Sequence, residues 1–195
     1  MTLRKAGVNE IDALAKHFAK CFDGYPLYEK YYYPKETYYL DKNFYIFKFD
    51  LLRSLDCIYT NDEHTVAAVY FPAGKRKKTK YVFRYAPLLF FEIIFKVKPV
   101  AAIRALKYVG VSSKKAKKHM RDNDGYLSQI AISEALRGQG NLGKALDAIS
   151  GGDSIYLETH TLQNAEMYLH KGFSLLEEEV FPYCDKFNAY YMRRS

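Results

Sequence analysis

One stretch in the second half of the chain constrains the fold more than any other: residues 126–146, YLSQIAISEALRGQGNLGKAL. It opens with alternating residues that are apolar on both faces, which predicts a strand buried on both sides over Leu127–Ile132. A glycine-rich turn follows. Apolar residues then recur at helical spacing, at Leu142, Ala145, Leu146 and Ile149. We therefore expect a strand, a turn and a helix in direct succession.

This succession has a physical use, because the first N–H groups of a helix lack intrahelical partners and the helix dipole places partial positive charge there. Glycines let the backbone approach an anion closely, and two side chains of the turn are cationic. The turn therefore predicts a pyrophosphate site made mainly of main-chain amides, although the motif alone leaves a plain glycine turn open. Its residues are Arg137, Gly138, Gln139, Gly140, Asn141, Leu142, Gly143 and Lys144.

Two further segments extend the pattern. Ser154–Thr159 (SIYLET) predicts a second strand, and it is followed by NAEMYLHKGF, from Asn164 to Phe173. Together with Arg137 and Gly140, these segments resemble the GCN5-related N-acetyltransferase (GNAT) superfamily over residues 126–173. The N-terminal half is similar to the family only in its order of elements.

The sequence departs from the family pattern at three places. Leu142 stands where the family prefers a small residue, so that Gly143 comes one position late. No proline follows the first strand, and Gly151-Gly152-Asp153 ends the next helix early. A crossover of this length still meets the minimum of roughly 10–12 residues, so these departures concern the phosphate geometry more than the fold.

The resemblance implies an α/β (α+β) fold with a central mixed, mostly antiparallel sheet, a splayed pair of parallel strands and flanking helices. The parallel strands would be Leu127–Ile132 and Ser154–Thr159, joined by a right-handed crossover. The implied activity is acetyl transfer from acetyl-CoA to a primary amine, most simply a small molecule, by direct attack in a ternary complex. The implied contacts with the cofactor arm come from the main chain of Ile130, Ala131 and Ile132 and from Asn164.

The chemistry needs a neutral amine and a proton for the departing thiolate. Tyr168 matches the usual acid of the family and lies one helical turn after Asn164, whereas a packed aromatic beside Phe173 is the alternative. Glu158 ends the second predicted strand and is our candidate base, with a structural ion pair as the alternative. His160 and Glu134 are weaker candidates.

Composition bounds the remaining possibilities. At 195 residues and 49% hydrophobic, the chain is expected to form one domain, residues 1–195. The three cysteines form no CxxC pair, which predicts neither a disulfide framework nor a metal site and favours a reducing, cytoplasmic setting. The most apolar run, Ala86–Phe95, is too short to span a bilayer, so we expect no membrane segment.

The net charge of +8 favours an anionic partner, and two basic runs carry much of it, Pro72–Lys80 and Ser112–Arg121. These runs are solvated faces, a means of steering coenzyme A, or a nucleic-acid surface; no nucleic-acid-binding motif supports the last. Two alternatives to the small-molecule enzyme stay open: a non-catalytic basic binding module on the same fold, and a protein or peptide N-acetyltransferase. The sequence is compatible with a monomer or a homodimer.

An aromatic segment precedes these features. It contains Tyr28, Tyr31, Tyr32 and the predicted helix Leu40–Arg53, and it forms either amphipathic packing or a wall of the acceptor pocket that receives a cationic amine. Leu55–Thr60 with Thr65–Phe71, and Ser174–Val180 with Ala189–Arg193, predict two antiparallel pairs. Helices are expected over Tyr81–Tyr108, split at Pro99.

Overall fold

A single seven-stranded sheet organises the part of the chain that the computed structural model describes, residues 1–32, 40–74 and 99–195. The strand order is β1-β2-β3-β4-β5-β7-β6, and the neighbouring strands are antiparallel except for the parallel pair β4 and β5. The strands are β1 (Arg4–Lys5), β2 (Ile58–Thr60), β3 (Val66–Phe71), β4 (Asp124–Ile132), β5 (Ser154–Thr159), β6 (Ser174–Val180) and β7 (Asn188–Arg194).

Helices flank both faces of this sheet. The described α-helices are α1 (Ile11–Cys21), α2 (Leu40–Arg53), α3 (Pro99–His119), α4 (Asn141–Ser150) and α5 (Leu162–Leu169), and a π-helical turn covers Leu27–Tyr32. The predicted fold class is confirmed: the sheet is mixed and mostly antiparallel, with one parallel pair connected through α4. The helix Leu40–Arg53 and both antiparallel pairs are also present, although β2 begins only at Ile58 because Leu55–Cys57 forms a 3-10 turn.

Strand β5 separates two cores, as its alternation requires. Tyr156 joins the core of α1, α2 and the π-helical turn, which includes Phe18 and Phe47. Ile155 and Leu157 join the core of α4 and α5. Strand β5 is therefore buried on both sides, which is the environment of a central strand between two helical layers.

Helix α3 differs from the sequence prediction. Pro99 is its first residue, a position where the missing N–H of proline costs nothing, and the helix then continues past Tyr108 to His119. The predicted boundary at Tyr108 is therefore wrong, while the segment before Pro99 and the basic residues 75–80 lie outside the described residues. No helix in the described ranges is long and apolar enough to cross a membrane.

The second basic run belongs to the last turns of α3 and is partly paired. Lys115 contacts Glu177 at 3.0 Å and Glu179 at 2.5 Å, and both Lys118 (3.0 Å) and His119 (2.6 Å) contact Glu177. These cations lower the pKa of Glu177 to about 2. This stretch of positive charge thus fastens α3 to the edge strand β6.

Candidate active site

The parallel strands part in the middle of the sheet. Hydrogen-bonded pairing of β4 with β5 runs from Asp124 opposite Ser154 to Leu127 opposite Leu157. Strand β4 nevertheless continues to Ile132 and β5 to Thr159. Over this extension β4 stays paired with β3 on its other side. The predicted splay is therefore present, and it begins immediately after Leu127 and Leu157.

A bulge in β4 lies at the point of parting. Val69 of β3 pairs with Gln129 while Tyr70 pairs with Leu127, so Ser128 is an extra residue in β4. A bulge bends its strand and increases the local twist, which turns β4 away from β5. Ser128, Gln129 and Ile130 are partly exposed although they belong to a central strand, whereas Leu127 is buried. The main chain beyond the bulge therefore borders an accessible gap.

The three predicted main-chain positions border this gap in different ways. Ala131 is buried in the core of α1 and α2, while Ile130 and Ile132 pack against the core of α4 and α5. The Ala131 carbonyl lies 3.4 Å from a ring nitrogen of His17, and the Ile132 carbonyl accepts a 3.0 Å hydrogen bond from Arg137 Nε. An arm entering the gap would therefore meet backbone groups that are partly engaged by the protein.

The glycine turn opens toward solvent. Gly138 and Gly140 have φ values of 75° and 74°, in the left-handed region that glycine adopts without steric cost. The first backbone hydrogen bond of α4 joins the Lys144 N–H to the Gly140 carbonyl at 3.3 Å, and no side chain caps the helix. The amides of residues 141–143 precede this bond and are available to an anion.

Side chains of the turn shape it. Gln139 Nε2 donates to the Ala135 carbonyl at 2.8 Å, and Asn141 Nδ2 donates to the Leu136 carbonyl at 2.9 Å. Gln139 and Asn141 therefore brace the loop with their side chains, and any contact they make with a phosphate would come from their amides.

Leu142 and Gly143 explain why the altered glycine spacing is tolerated. The Leu142 side chain is buried in the core of α4 and α5, so it points away from the corner. A Cβ added at Gly143 would lie 3.9 Å from Lys171 Nζ. Lys171 therefore stands beside the first turn of α4 as a further cation, and the sequence analysis missed it because it follows α5 in a segment without a phosphate-binding pattern.

Tyr168 lies with Asn164 on α5, below the end of β5. It is buried, packs edge-on against Phe173 with ring centroids 5.2 Å apart, and has its pKa raised by burial and by the neighbouring Tyr25. Thr161, rather than Asn164, caps α5, since Thr161 Oγ1 accepts the Asn164 N–H at 3.2 Å. The Asn164 side chain is therefore not needed to cap α5.

Tyr25 connects these elements, and the sequence analysis did not select it as a site residue. Its hydroxyl accepts the His160 N–H at 2.9 Å and lies 3.2 Å from both Thr159 Oγ1 and His160 Nδ1. Burial raises the pKa of Tyr25 to about 12 and lowers that of His160 to about 3, so both side chains are neutral at neutral pH. A pKa this low makes the imidazole of His160 a poor base. Glu134, the other weaker candidate base, lies exposed in a 3-10 turn beside the gap.

Glu158 faces the opposite side of the sheet from Tyr168. The Tyr108 hydroxyl of α3 donates to its Oε1. Burial raises the pKa of Glu158, while the hydrogen bond from Tyr108 opposes the rise. The two predicted catalytic residues therefore lie on opposite faces of the sheet beside the strand gap, and not next to each other.

A second carboxylate borders the gap and was missed. Asp50 of α2 accepts a 3.4 Å hydrogen bond from Gln129 Nε2, and burial raises its pKa to about 6. The sequence signal was present, since an acid at this position shares the apolar face of α2 with Phe47.

Within the described residues, no cluster of three or more His, Cys, Asp or Glu side chains could hold a metal ion.

The fold of the described chain is shared with known structures. A histone acetyltransferase HPA2 and related acetyltransferase from Corynebacterium glutamicum is 16% identical, with a TM-score of 0.59 over 99% of this chain and 94% of that one. The C-terminal condensation domain of Ebony in complex with β-alanyl-dopamine is 11% identical, with a TM-score of 0.63 over 98% and 97%. The chain has the GNAT fold.

A third structure with this fold is arylalkylamine N-acetyltransferase 2 from Aedes aegypti, which is 13% identical, with a TM-score of 0.57 over 98% of this chain and 97% of that one. No protein-family model matches the sequence, and no curated protein matches it. At these identities the likeness establishes the GNAT fold, and the chemistry has to be argued from the residues at the gap.

Proposed function

We propose that the protein is an acetyl-CoA-dependent N-acetyltransferase that acts on a primary amine of a small molecule by direct attack in a ternary complex. The observation that carries this proposal is the parting of β4 and β5 after Leu127 and Leu157, next to a helix N-terminus with uncapped amides. A gap in the centre of a sheet leaves backbone groups unpaired, and a stable fold leaves such groups open where a ligand completes them.

The chain offers acetyl-CoA two kinds of contact. The thin arm of the molecule fits between the strands beside Ile130, Ala131 and Ile132, where it adds main-chain hydrogen bonds in the manner of a strand. The pyrophosphate fits the corner formed by the amides of residues 141–143, where Arg137, Lys144 and Lys171 supply positive charge.

The proposed reaction forms a C–N bond and breaks the C–S bond of the thioester. The lone pair of the amine attacks the acetyl carbonyl carbon, Glu158 takes the proton that the nitrogen loses, and Tyr168 gives a proton to the departing thiolate. Solvent exchange then restores both side chains. The placement of Glu158 and Tyr168 across the gap suits this division, because the amine and the sulfur lie on opposite sides of the carbonyl.

The environments of both residues favour these roles. Burial raises the pKa of Glu158 toward the working pH, which makes its carboxylate a stronger base than an exposed one. Burial also raises the pKa of Tyr168, so its hydroxyl stays protonated and able to donate. The basic-module alternative draws less support from Lys115, Lys118 and His119, because these residues pair with acids of β6. We keep a single domain and a cytoplasmic setting as predictions.

The proposal is tested by binding and turnover together. Acetyl-CoA at about 100 times its Kd adds about 2.7 kcal/mol of stability, which raises the Tm by roughly 5–11 °C for a chain of this size. Tyr168→Phe is expected to keep this shift and to lower kcat about 100-fold, because a positioned acid typically contributes that much. Tyr190→Phe is the matched control, since Tyr190 is buried in the same core. No shift at millimolar acetyl-CoA would refute the proposal, and unchanged turnover in Tyr168→Phe would remove that residue from the acid role.

A further inference from the structure

Two carboxylates border the strand gap on the same face of the sheet. Gln129, the second residue of β4 beyond the paired segment, holds Asp50 of α2 at 3.4 Å. Glu158, the first residue of β5 beyond the paired segment, accepts the hydroxyl hydrogen of Tyr108. Tyr108 packs against the core of α1 and α2, so both acids face the helices that cover the side opposite Tyr168.

The carboxylate of Asp50 has few hydrogen-bonding or charged partners among the described residues. Its one described hydrogen bond is the long contact from Gln129, and no described cation lies within ion-pair distance of it. The charge of Arg53 acts on Asp50 and opposes the rise of its pKa, while the Arg53 guanidinium lies over the ring of Phe49. A partly buried carboxylate without a partner destabilises the fold, so its position calls for an occupant that supplies positive charge. The proposed acetyl transfer uses one base and leaves this second acid unexplained.

Unpartnered polar atoms are present on Gln129 and on the face of α2 that carries Asp50. The buried Oε1 of Gln129 has no hydrogen-bond partner. Asn43, seven residues before Asp50 and therefore on the same face of α2, is completely buried, and neither its Oδ1 nor its Nδ2 has a partner. Buried polar groups are normally satisfied, so these atoms indicate a site that a polar ligand or water completes.

A row of tyrosine rings leads to Glu158 through Tyr108. The ring centroids of Tyr28 and Tyr32 are 5.4 Å apart, and those of Tyr32 and Tyr108 are 6.2 Å apart. Burial raises the pKa of Tyr32, and the charges of Asp50 and Glu158 add to the rise. Carboxylates among aromatic faces bind ammonium groups, through charge-assisted hydrogen bonds and cation–π contacts. A protein of net charge +8 repels cations at long range, so such local groups are what a cationic acceptor requires.

We propose that the acceptor is a diamine or polyamine, in which Asp50 holds the ammonium group that does not react while Glu158 takes the proton lost by the nitrogen that does. This inference rests on the proposed acetyl transfer and adds the substrate class to it. The bonds formed and broken are those of the transfer described above; the second ammonium group keeps its proton and its charge throughout.

The test compares two amines with the same carbon chain, putrescine with two amino groups and n-butylamine with one. A hydrogen bond to a charged group contributes about 1.5–3 kcal/mol, so kcat/KM should favour putrescine about 10- to 100-fold. Asp50→Asn should lose most of this preference. Asp56→Asn, which removes the same charge from an exposed position just after α2, should keep it. Acetyl-CoA thermal shifts equal to that of the wild type show that the variants are folded.

Calorimetric titration of putrescine into the protein saturated with CoA gives a second readout that needs no turnover. Binding that weakens in Asp50→Asn supports the inference. Equal turnover of the two amines by the wild type, a preference that survives in Asp50→Asn, or faster turnover of phenylethylamine than of putrescine would each overturn it while leaving acetyl transfer intact. The absence of both an acetyl-CoA shift and any amine turnover would refute the proposed function instead, and the titration would still decide whether Asp50 binds a diamine.

Discussion

Asp50 places a carboxylate at the gap and lowers the stability of the fold by doing so. Burial holds its pKa at about 6, compared with 3.8 for an unperturbed aspartate, and the single hydrogen bond from Gln129 is too long to compensate. Groups with shifted pKa values cluster at functional sites because the same burial that shifts them also strengthens their interaction with a ligand. The fold therefore tolerates an acid at a position where an apolar or amide side chain would be more stable.

This cost depends on pH in a defined direction. Between about pH 4 and pH 6 the folded protein keeps a proton on Asp50 that the unfolded chain has released, so stability falls as the pH rises through this window. Asp50→Asn should therefore raise the free energy of unfolding at pH 8 by on the order of 1–3 kcal/mol more than at pH 4. Urea unfolding of both proteins at both pH values measures this difference. The same gain at both values would show that ionisation of Asp50 carries no cost, and Asp56→Asn should show no gain at either.

At the scale of single elements, the glycine turn and α3 use the same residue type in opposite ways. Gly140 is the N-cap of α4 and has a φ of 74°, a conformation that would be strained in a residue with a Cβ atom. Gly110 lies inside α3, where a Cβ would meet nothing within 4 Å and where glycine is a poor helix former. The first glycine is required by the geometry of the corner, and the second is not required by anything in its described surroundings.

Alanine at these two positions should therefore change stability in opposite directions. Gly140→Ala is expected to lower the free energy of unfolding by about 1–2 kcal/mol, because it places an L-residue in the left-handed region. Gly110→Ala should raise it by about 0.5–1 kcal/mol, because alanine loses less backbone entropy on entering a helix. Chemical denaturation of both variants distinguishes them. Unchanged or higher stability in Gly140→Ala would contradict the role assigned to Gly140, and a loss in Gly110→Ala would contradict the free surroundings assigned to Gly110.

For the whole molecule, the position of α3 links the edge of the sheet to its centre. Lys115 and His119 near its C-terminus bind Glu177 of β6, while Tyr108 in its middle reaches Glu158 at the gap. The basic run that suggested steering or a nucleic-acid surface is thus partly used to orient a helix over the proposed acceptor side. Strands from both ends of the described chain belong to this one sheet, and a single domain stays a prediction.

This attachment should be sensitive to acid. The lowered pKa of Glu177 means that its stabilising effect is complete above about pH 4.5 and is lost as the pH falls through about 2. Glu177→Gln is therefore expected to lower the free energy of unfolding by about 1 kcal/mol at pH 7, a modest value because the network is partly exposed, and by little near pH 2. Glu178→Gln, at an exposed neighbouring position, is the control and should have a smaller effect at pH 7. Equal losses for the two variants at pH 7 would contradict the attachment.

The sequence by itself determined the central succession of strand, glycine turn, helix and strand. Residues 126–159 encode it through local rules: period-two burial, left-handed glycines and helical spacing, each of which acts within one or two turns of chain. The parting of the strands was implied only by resemblance, because the Ser128 bulge depends on how β3 pairs with β4.

Only the tertiary structure decided which side chains meet at the gap. Tyr25 and His160 lie 135 residues apart in the sequence, Asp50 and Gln129 are separated by 79, and Tyr108 and Glu158 by 50. No local pattern marks such pairs, because each depends on the packing of two helical layers against opposite faces of one sheet. Burial then changes the pKa values of Asp50, Glu158 and Tyr168, and burial is a property of the folded chain that no short stretch of sequence contains.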